Sequence, residues 1–194
     1  EVRIPDTLTG LLQVQLSNLP VMQRVALQRA SVVGRTFWDS ALTALDTGDS
    51  YALQLTPALA GLTRRNLIYR QERSSFTGTQ EFTFANNLLF SEAYHSISEP
   101  IRSSYHGLAA EWLRKISGDA PAMAARIADH YDRAGEGLKA VRYLSLAADE
   151  AHRLNAFVQK RQFLRRAVNF AEETSLTPGT PDRATLLYRL GETM

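Results

Sequence analysis

The only stretch that formally matches a chemistry-bearing fingerprint is Gly135-Glu136-Gly137-Leu138-Lys139-Ala140, a G-x-G-x-x-A run. In a dinucleotide-binding turn such glycines let a pyrophosphate approach the backbone at a helix N-terminus, and the run follows a β-strand. Here Ile127, Ala128, Tyr131 and Ala134 precede it at helical spacing, so it reads as a tight turn between packed helices and holds no cofactor. Asp129, His130 and Asp132 fall within one helical turn, and Asp149 and His152 stand three apart. Metal ligation and acid–base catalysis both need such groups to converge on one point. Adjacent helical residues diverge by about 100°, so Asp129 and His130 do not. His95 and His106 have no partner nearby in sequence, and the serines lie in no G-x-S-x-G context. No catalytic, cofactor-binding or metal-ligating residue is assigned, and this piece is not expected to be an enzyme.

What remains is arginine chemistry. Arg64 and Arg65 lie at the end of a helical stretch, and Arg70 and Arg73 in the segment after it. They are the candidate nucleic-acid contacts. A helix that reads DNA needs side chains able to hydrogen-bond base edges, with basic flanks on phosphate. Leu53-Gln54-Leu55-Thr56-Pro57-Ala58-Leu59 is instead mostly apolar. Glu72 and Glu81 dilute the following segment, Asp46 and Asp49 precede the helix, and the formal net charge is only +2. DNA binding is therefore the alternative reading. Arg142, Tyr143, Arg153 and Arg161 are the candidate contacts for a protein or small-molecule effector on the C-terminal helices.

The totals set the frame. At 194 residues, 44% hydrophobic and 22% charged, the chain has room for one large or two small cores. Cysteine is absent, which removes disulfides, thiolate metal sites and cysteine nucleophiles together. No apolar run approaches the ~20 residues of a membrane span, and there is no signal-peptide pattern. The chain opens on Glu1-Val2-Arg3 without an initiator Met. It reads as an internal fragment of a larger cytoplasmic protein.

The elements follow from periodicity. Asp6 or Thr7 caps a first helix with Leu8, Leu11, Leu12, Leu16 and Leu19 on one stripe. Pro20 opens a second, with Val25, Ala26, Ala30, Val32 and Val33 buried and Gly34 at its end. Phe37 to Leu45 reads as a short third helix. Asp46 to Ser50 is a turn with Ser50 as cap, and a fourth helix follows with Pro57 near its first turn. Asn66 closes it. Leu67 to Arg70 and Glu81 to Ala85 are two strands around a polar turn at Thr77-Gly78, the plan of a winged helix-turn-helix. Within Glu81 to Ile116 the apolar period switches from 2 to 3.6 at Asn86-Asn87, a strand feeding a helix. A long helix after Pro100 carries Ile101, Tyr105, Leu108, Ala109, Trp112, Leu113 and Ile116. Ser117 to Pro121 is a linker. Helices over 122–134 and 138–153 form a hairpin around Gly135-Glu136-Gly137, and 155–173 is a further helix. A loop at Thr177 to Pro181 leads to a last helix capped by Asp182.

In that hairpin Ala128, Tyr131, Ala140, Leu144 and Ala147 match tetratricopeptide spacing, where alanines let two backbones approach and an aromatic fills the gap. Lys160, Leu164 and Ala167 echo it, and Leu187, Leu190 and Gly191 resemble the opening of another unit. The expected organisation is a winged-helix-like domain over 1–97, a connecting helix over 98–117 and tetratricopeptide-like repeats over 118–194, mostly α overall.

Taken together, Pro5 to Leu8 with Leu16 to Pro20, the run Ala30-Ser31-Val32-Val33-Gly34-Arg35-Thr36-Phe37, the strand-to-helix switch and the Ala128–Ala147 hairpin resemble a known arrangement. It is the region after the nucleotide-binding core of STAND-class, AAA-related regulatory ATPases, including LuxR-type transcriptional regulators and cyclase- or kinase-linked ATPases. The family often has a phrase F-x-H-x-L-x-x-x-x-Y; Phe84, Leu88 and Tyr94 fit, with Asn86 in place of the His. The resemblance implies a winged helix leading into a tetratricopeptide-like superhelix. It implies a regulatory, signal-transduction role that couples a nucleotide switch to protein or effector binding. ATP and Mg²⁺ would belong to an upstream domain, since no G-x-x-x-x-G-K-[ST] occurs here. The implied partners are that ATPase domain and an effector on the repeats, with no membrane.

Overall fold

A computed structural model describes residues 6–46, 51–173 and 183–192. The chain is mostly helical with one small three-stranded antiparallel sheet, and it divides into two compact units, Glu1–Tyr105 and His106–Met194. The turn and cap expected at 47–50 and the loop and cap expected at 177–182 lie outside the described residues.

The first unit begins with α1 (Asp6–Ser17) and α2 (Val21–Val33), separated by Pro20. β1 (Thr36–Trp38) comes next, then α3 (Asp39–Ala44) and α4 (Tyr51–Arg64). β2 (Ile68–Arg70) and β3 (Glu81–Phe84) form the hairpin, and α5 (Asn87–His95) follows. The sheet order is β1-β3-β2. Thr36 faces Thr83 and Trp38 faces Glu81 on one side of β3, and Ile68 faces Phe84 on the other.

Two expectations are corrected here. Residues 36–38 form a strand, and the third helix starts only at Asp39. The alternation is hidden because both faces of this short strand are covered. Phe37 stacks on Phe82 at 5.7 Å and meets Phe84 tilted at 5.5 Å, while the Trp38 ring lies 4.9 Å from that of Phe76 and donates from Nε1 to Glu81 at 3.0 Å. Pro57 sits at the seventh residue of α4, well past its first turn, so the Leu53 carbonyl has no N–H four residues on.

The switch at Asn86 is a cap. Its side-chain oxygen accepts the Leu89 N–H at 2.8 Å, a task for a short side chain carrying an acceptor.

α6 (Glu99–Ser117) runs across the division between the units. Ala109, Ala110, Trp112 and Leu113 are buried, whereas Ile101 is 49% exposed and does not join the expected apolar stripe. After a 3-10 turn at Pro121–Met123 come α7 (Ala124–Arg133), α8 (Gly137–Arg153), α9 (Phe157–Glu173) and α10 (Arg183–Gly191). Each of these four packs on the next. Three-residue turns at 134–136 and 154–156 make α7, α8 and α9 successively antiparallel.

Helices α4, α6, α7 and α8 stop in the same way. Asn66, Gly118, Gly135 and Asn155 adopt φ of 56 to 75°, and the next N–H reaches the carbonyl five residues back at 2.8–3.2 Å. This left-handed closure satisfies the last carbonyls and reverses the chain sharply. It is the task for which the two glycines of the fingerprint-like run are spaced: Gly135 supplies the turn and Gly137 begins α8.

Ala128, Tyr131, Ala140, Leu144 and Ala147 are all buried, and so are Lys160, Leu164 and Ala167. Lys160 lies on the same stripe as the two apolar residues, its carbon stem packed like theirs. On α10 the buried leucine is Leu186; Leu187 is 44% exposed. Among the described residues no helix is long and apolar enough to cross a membrane.

Candidate interaction site

In the first unit the candidate nucleic-acid contacts are all at the surface. Arg64 ends α4, Arg65 follows it, Arg70 ends β2 and Arg73 lies in the β2–β3 loop. Each is exposed, and none of the four side chains makes a hydrogen bond or ion pair with another described residue. Among the described side chains of α4 the other exposed ones are Gln54, Thr56, Pro57 and Ala60, which carry no charge.

The loop is tied down by its own chemistry. The Glu81 carboxylate accepts from Ser75 N–H and Ser75 hydroxyl at 2.7 Å each, besides Trp38. The Ser74 and Thr79 hydroxyls meet at 2.7 Å, and Gln80 N–H donates to Asp39 Oδ1 at 2.9 Å. Glu81 is thus a structural hub of the hairpin and not a counter-charge to its arginines. A groove of about 380 Å³ lies between α4 and the hairpin, with Thr56, Ala60, Thr63, Arg70 and Gln80 along it. A second, of about 430 Å³, lies among α1, α2 and α5, and the Gln13 amide donates across it to Glu92 at 3.0 Å.

In the second unit the acidic residues weighed as metal or acid–base groups are held by arginines two helices away. Arg166 on α9 bonds Asp129 at 2.8 Å and Asp132 at 2.9 Å, both on α7. Arg189 on α10 pairs with Asp149 on α8. The acids therefore tie successive helix pairs together. Among the described residues no three His, Cys, Asp or Glu side chains cluster as a metal site requires.

A polar network spanning three helices centres on Glu111 of α6. Its carboxylate accepts from the Tyr131 hydroxyl at 2.8 Å, Lys139 Nζ at 3.1 Å and Arg114 Nε at 3.1 Å. Lys139 also pairs with Glu136 at 2.6 Å and lies 5.0 Å from the centre of the Tyr131 ring. Burial alone would raise the Glu111 carboxyl, but the bonds from Tyr131, Lys139 and Arg114 prevail and hold it near 2. Tyr131 is pushed well above its usual value by burial and by its bond to that carboxylate.

The sign for stability follows. A carboxyl held below the usual 4.5 stabilises the fold fully above that value, and the gain fades as pH falls toward 2. Glu111 is 36% exposed, so screening limits the gain to about 1 kcal/mol. Glu111→Gln is expected to lower the urea midpoint of the Trp112 signal at pH 7, with the gap to wild type closing by about pH 2. A gap of constant size across that range would remove the assignment.

Of the four candidate effector contacts, three are accessible. Arg142 is exposed with its guanidinium 5.8 Å from the Tyr143 ring centre. Arg153 is 68% exposed and bidentate with Glu150 at 2.7 Å. Arg161 is half-buried near the start of α9. Tyr143 is corrected: it is 3% exposed, its ring lies 5.5 Å from Tyr131, and its hydroxyl donates to Asp119 at 2.6 Å. Burial and that bond raise the phenol to about 12. Tyr143 therefore packs inside the second unit and ties down the turn after α6.

Sequence reasoning missed Glu111 and the pairing of His106 with His130. Arg114 three residues after Glu111 was the only local signal; the other partners arrive from α7 and α8. No protein-family model, curated protein or solved structure matches the chain.

Proposed function

We propose that this chain is a non-catalytic regulatory segment of a larger, STAND-type signal-transduction ATPase, one that couples a nucleotide switch to binding of a protein or effector. The observation that carries the reading is the element order. A helix, a strand, two helices and a hairpin, with the first strand joining the hairpin as β1-β3-β2, is the order of a winged helix. Helix pairs built on small buried residues follow it, as in a tetratricopeptide-like array. The strand at Thr36–Trp38 was not anticipated, and it favours this reading because it supplies the third strand.

In this reading the first unit docks on the ATPase core in the resting state, and engagement of the helical repeats shifts that docking. Cytoplasmic location goes with the same reading. The test uses surface charge. Arg142→Glu with Arg161→Glu, placed in the parent ATPase, should change effector-dependent nucleotide turnover several-fold while leaving the helical circular dichroism intact. An unchanged response would remove the proposal.

A second reading, direct DNA contact, is favoured by one observation: Arg64, Arg65, Arg70 and Arg73 are all exposed and unengaged among the described residues. Against it stand the other exposed side chains described on α4, which carry no charge. Anisotropy titration with duplex DNA at two salt concentrations separates the readings. Saturable binding whose salt slope falls by about 1 for each arginine replaced by alanine would establish DNA contact.

A further inference from the structure

We infer that His106 and His130 form an acid-released latch between α6 and α7. Their Nδ1 atoms are 2.8 Å apart and their rings are 5.1 Å between centres, at 2% and 5% exposure. A contact between two Nδ1 atoms holds one hydrogen. In the neutral pair one ring carries its proton on Nδ1 and donates; the other carries it on Nε2 and accepts. A first added proton can enter at Nε2 of the donor ring and leave the bond in place. A second has only the shared Nδ1 contact, where two N–H groups would point at each other across 2.8 Å.

Charged groups of both signs flank the pair. One turn before His106 on α6 is Arg102, and one turn to either side of His130 on α7 are Arg126 and Arg133. From the turn before α8, Glu136 approaches Gly107, but its carboxylate is paired with Lys139 of that helix at 2.6 Å. Glu111, further along α6, is occupied by Tyr131, Lys139 and Arg114. On the α9 side, Asp129 and Asp132 are held by Arg166.

The linkage has a definite sign. In the unfolded chain both rings titrate near ~6.5 and take up two protons. The folded pair accepts at most one while the latch holds. The unfolded state therefore binds more protons below that pH, by about one once both of its rings are charged, and stability falls as pH falls. The window lies above that of Glu111, so the two effects separate.

The test follows the unfolding of the whole chain between pH 7.5 and 5, with Trp112 as reporter in a Trp38→Phe background. The folding equilibrium constant of the second unit should fall with a slope that approaches about ten-fold per pH unit as pH nears 5, beyond the fall seen in the double variant His106→Gln/His130→Gln. An equal fall in the two proteins would overturn the latch. Should the double variant not fold, the ring ¹⁵N spectrum of the wild-type chain decides. Opposite tautomers for His106 and His130 at pH 7.5 are expected. Like tautomers, or protons on both Nδ1 atoms in the folded chain at pH 5.5, would overturn it.

Discussion

Leu144→Ala is expected to destabilise the second unit by about 3 kcal/mol, within the range for emptying a buried leucine site. Leu144 is fully buried in α8, the helix that packs on α7 and on α9 at once. The cavity would open where two interfaces meet, and the flanking Ala140, Ala147 and Ala148 are too small to collapse into it. Those alanines are what allow the backbones to come close, so the site depends on Leu144 for its bulk. Leu154→Ala is the control: that leucine is 60% exposed, and its loss should shift stability by less than about 0.5 kcal/mol. Urea unfolding read at Trp112 measures both. Equal effects would mean that α8 is not the centre of the helical stack.

Arg29→Ala is expected to cost the first unit a similar amount, about 3 kcal/mol, through a different mechanism. Arg29 Nη2 bonds Asp46 at 2.9 Å, and the two side chains are only 9% and 13% exposed. The guanidinium also lies 5.7 Å from the centre of the Tyr105 ring. Removing the arginine leaves a carboxylate mostly out of water without this partner, and that desolvation is the larger part of the loss. Replacing both members, Arg29→Met with Asp46→Leu, removes the stranded charge and should recover most of the stability. Unfolding read at Trp38 in a Trp112→Phe background tests the pair. A double variant as unstable as Arg29→Ala would show that the pair acts through its hydrogen-bond geometry instead of through charge burial.

These effects bear on what could be read from residues alone. Helices were legible where an apolar stripe met a cap or a breaker, as at Pro20, Gly34, Asn66 and Gly135. β1 was not, because Phe37 and Trp38 are both buried and a three-residue strand covered on both faces shows no alternation. On α10 the expected repeat opening named Leu187, but the buried leucine is Leu186, on the helix that packs against α9. Tyr143 is a candidate partner contact by sequence, yet its ring belongs with Tyr131 and its hydroxyl with Asp119, 24 residues away.

The polar chemistry was legible in kind but not in pairing. Asp129 and His130 were rightly seen to diverge on α7, since neighbouring positions on a helix face different elements, whereas Asp129 and Asp132 share one arginine. What each one meets depends on helices far along the chain: Arg166 for the two acids, and His106 for the histidine. A contact 24 residues away leaves no periodic trace. The grooves beside α4 and α5 were likewise invisible, being formed from elements distant in sequence.

The regulatory reading stands or falls on differential affinity, because a segment that binds both states of a switch equally shifts neither. The direct measurement is the dissociation constant of this chain for the parent's nucleotide-binding core, loaded first with ADP and then with a non-hydrolysable ATP analogue. The account predicts at least about ten-fold tighter binding to one nucleotide state. Equal affinity for the two states, or no binding to either, would contradict it.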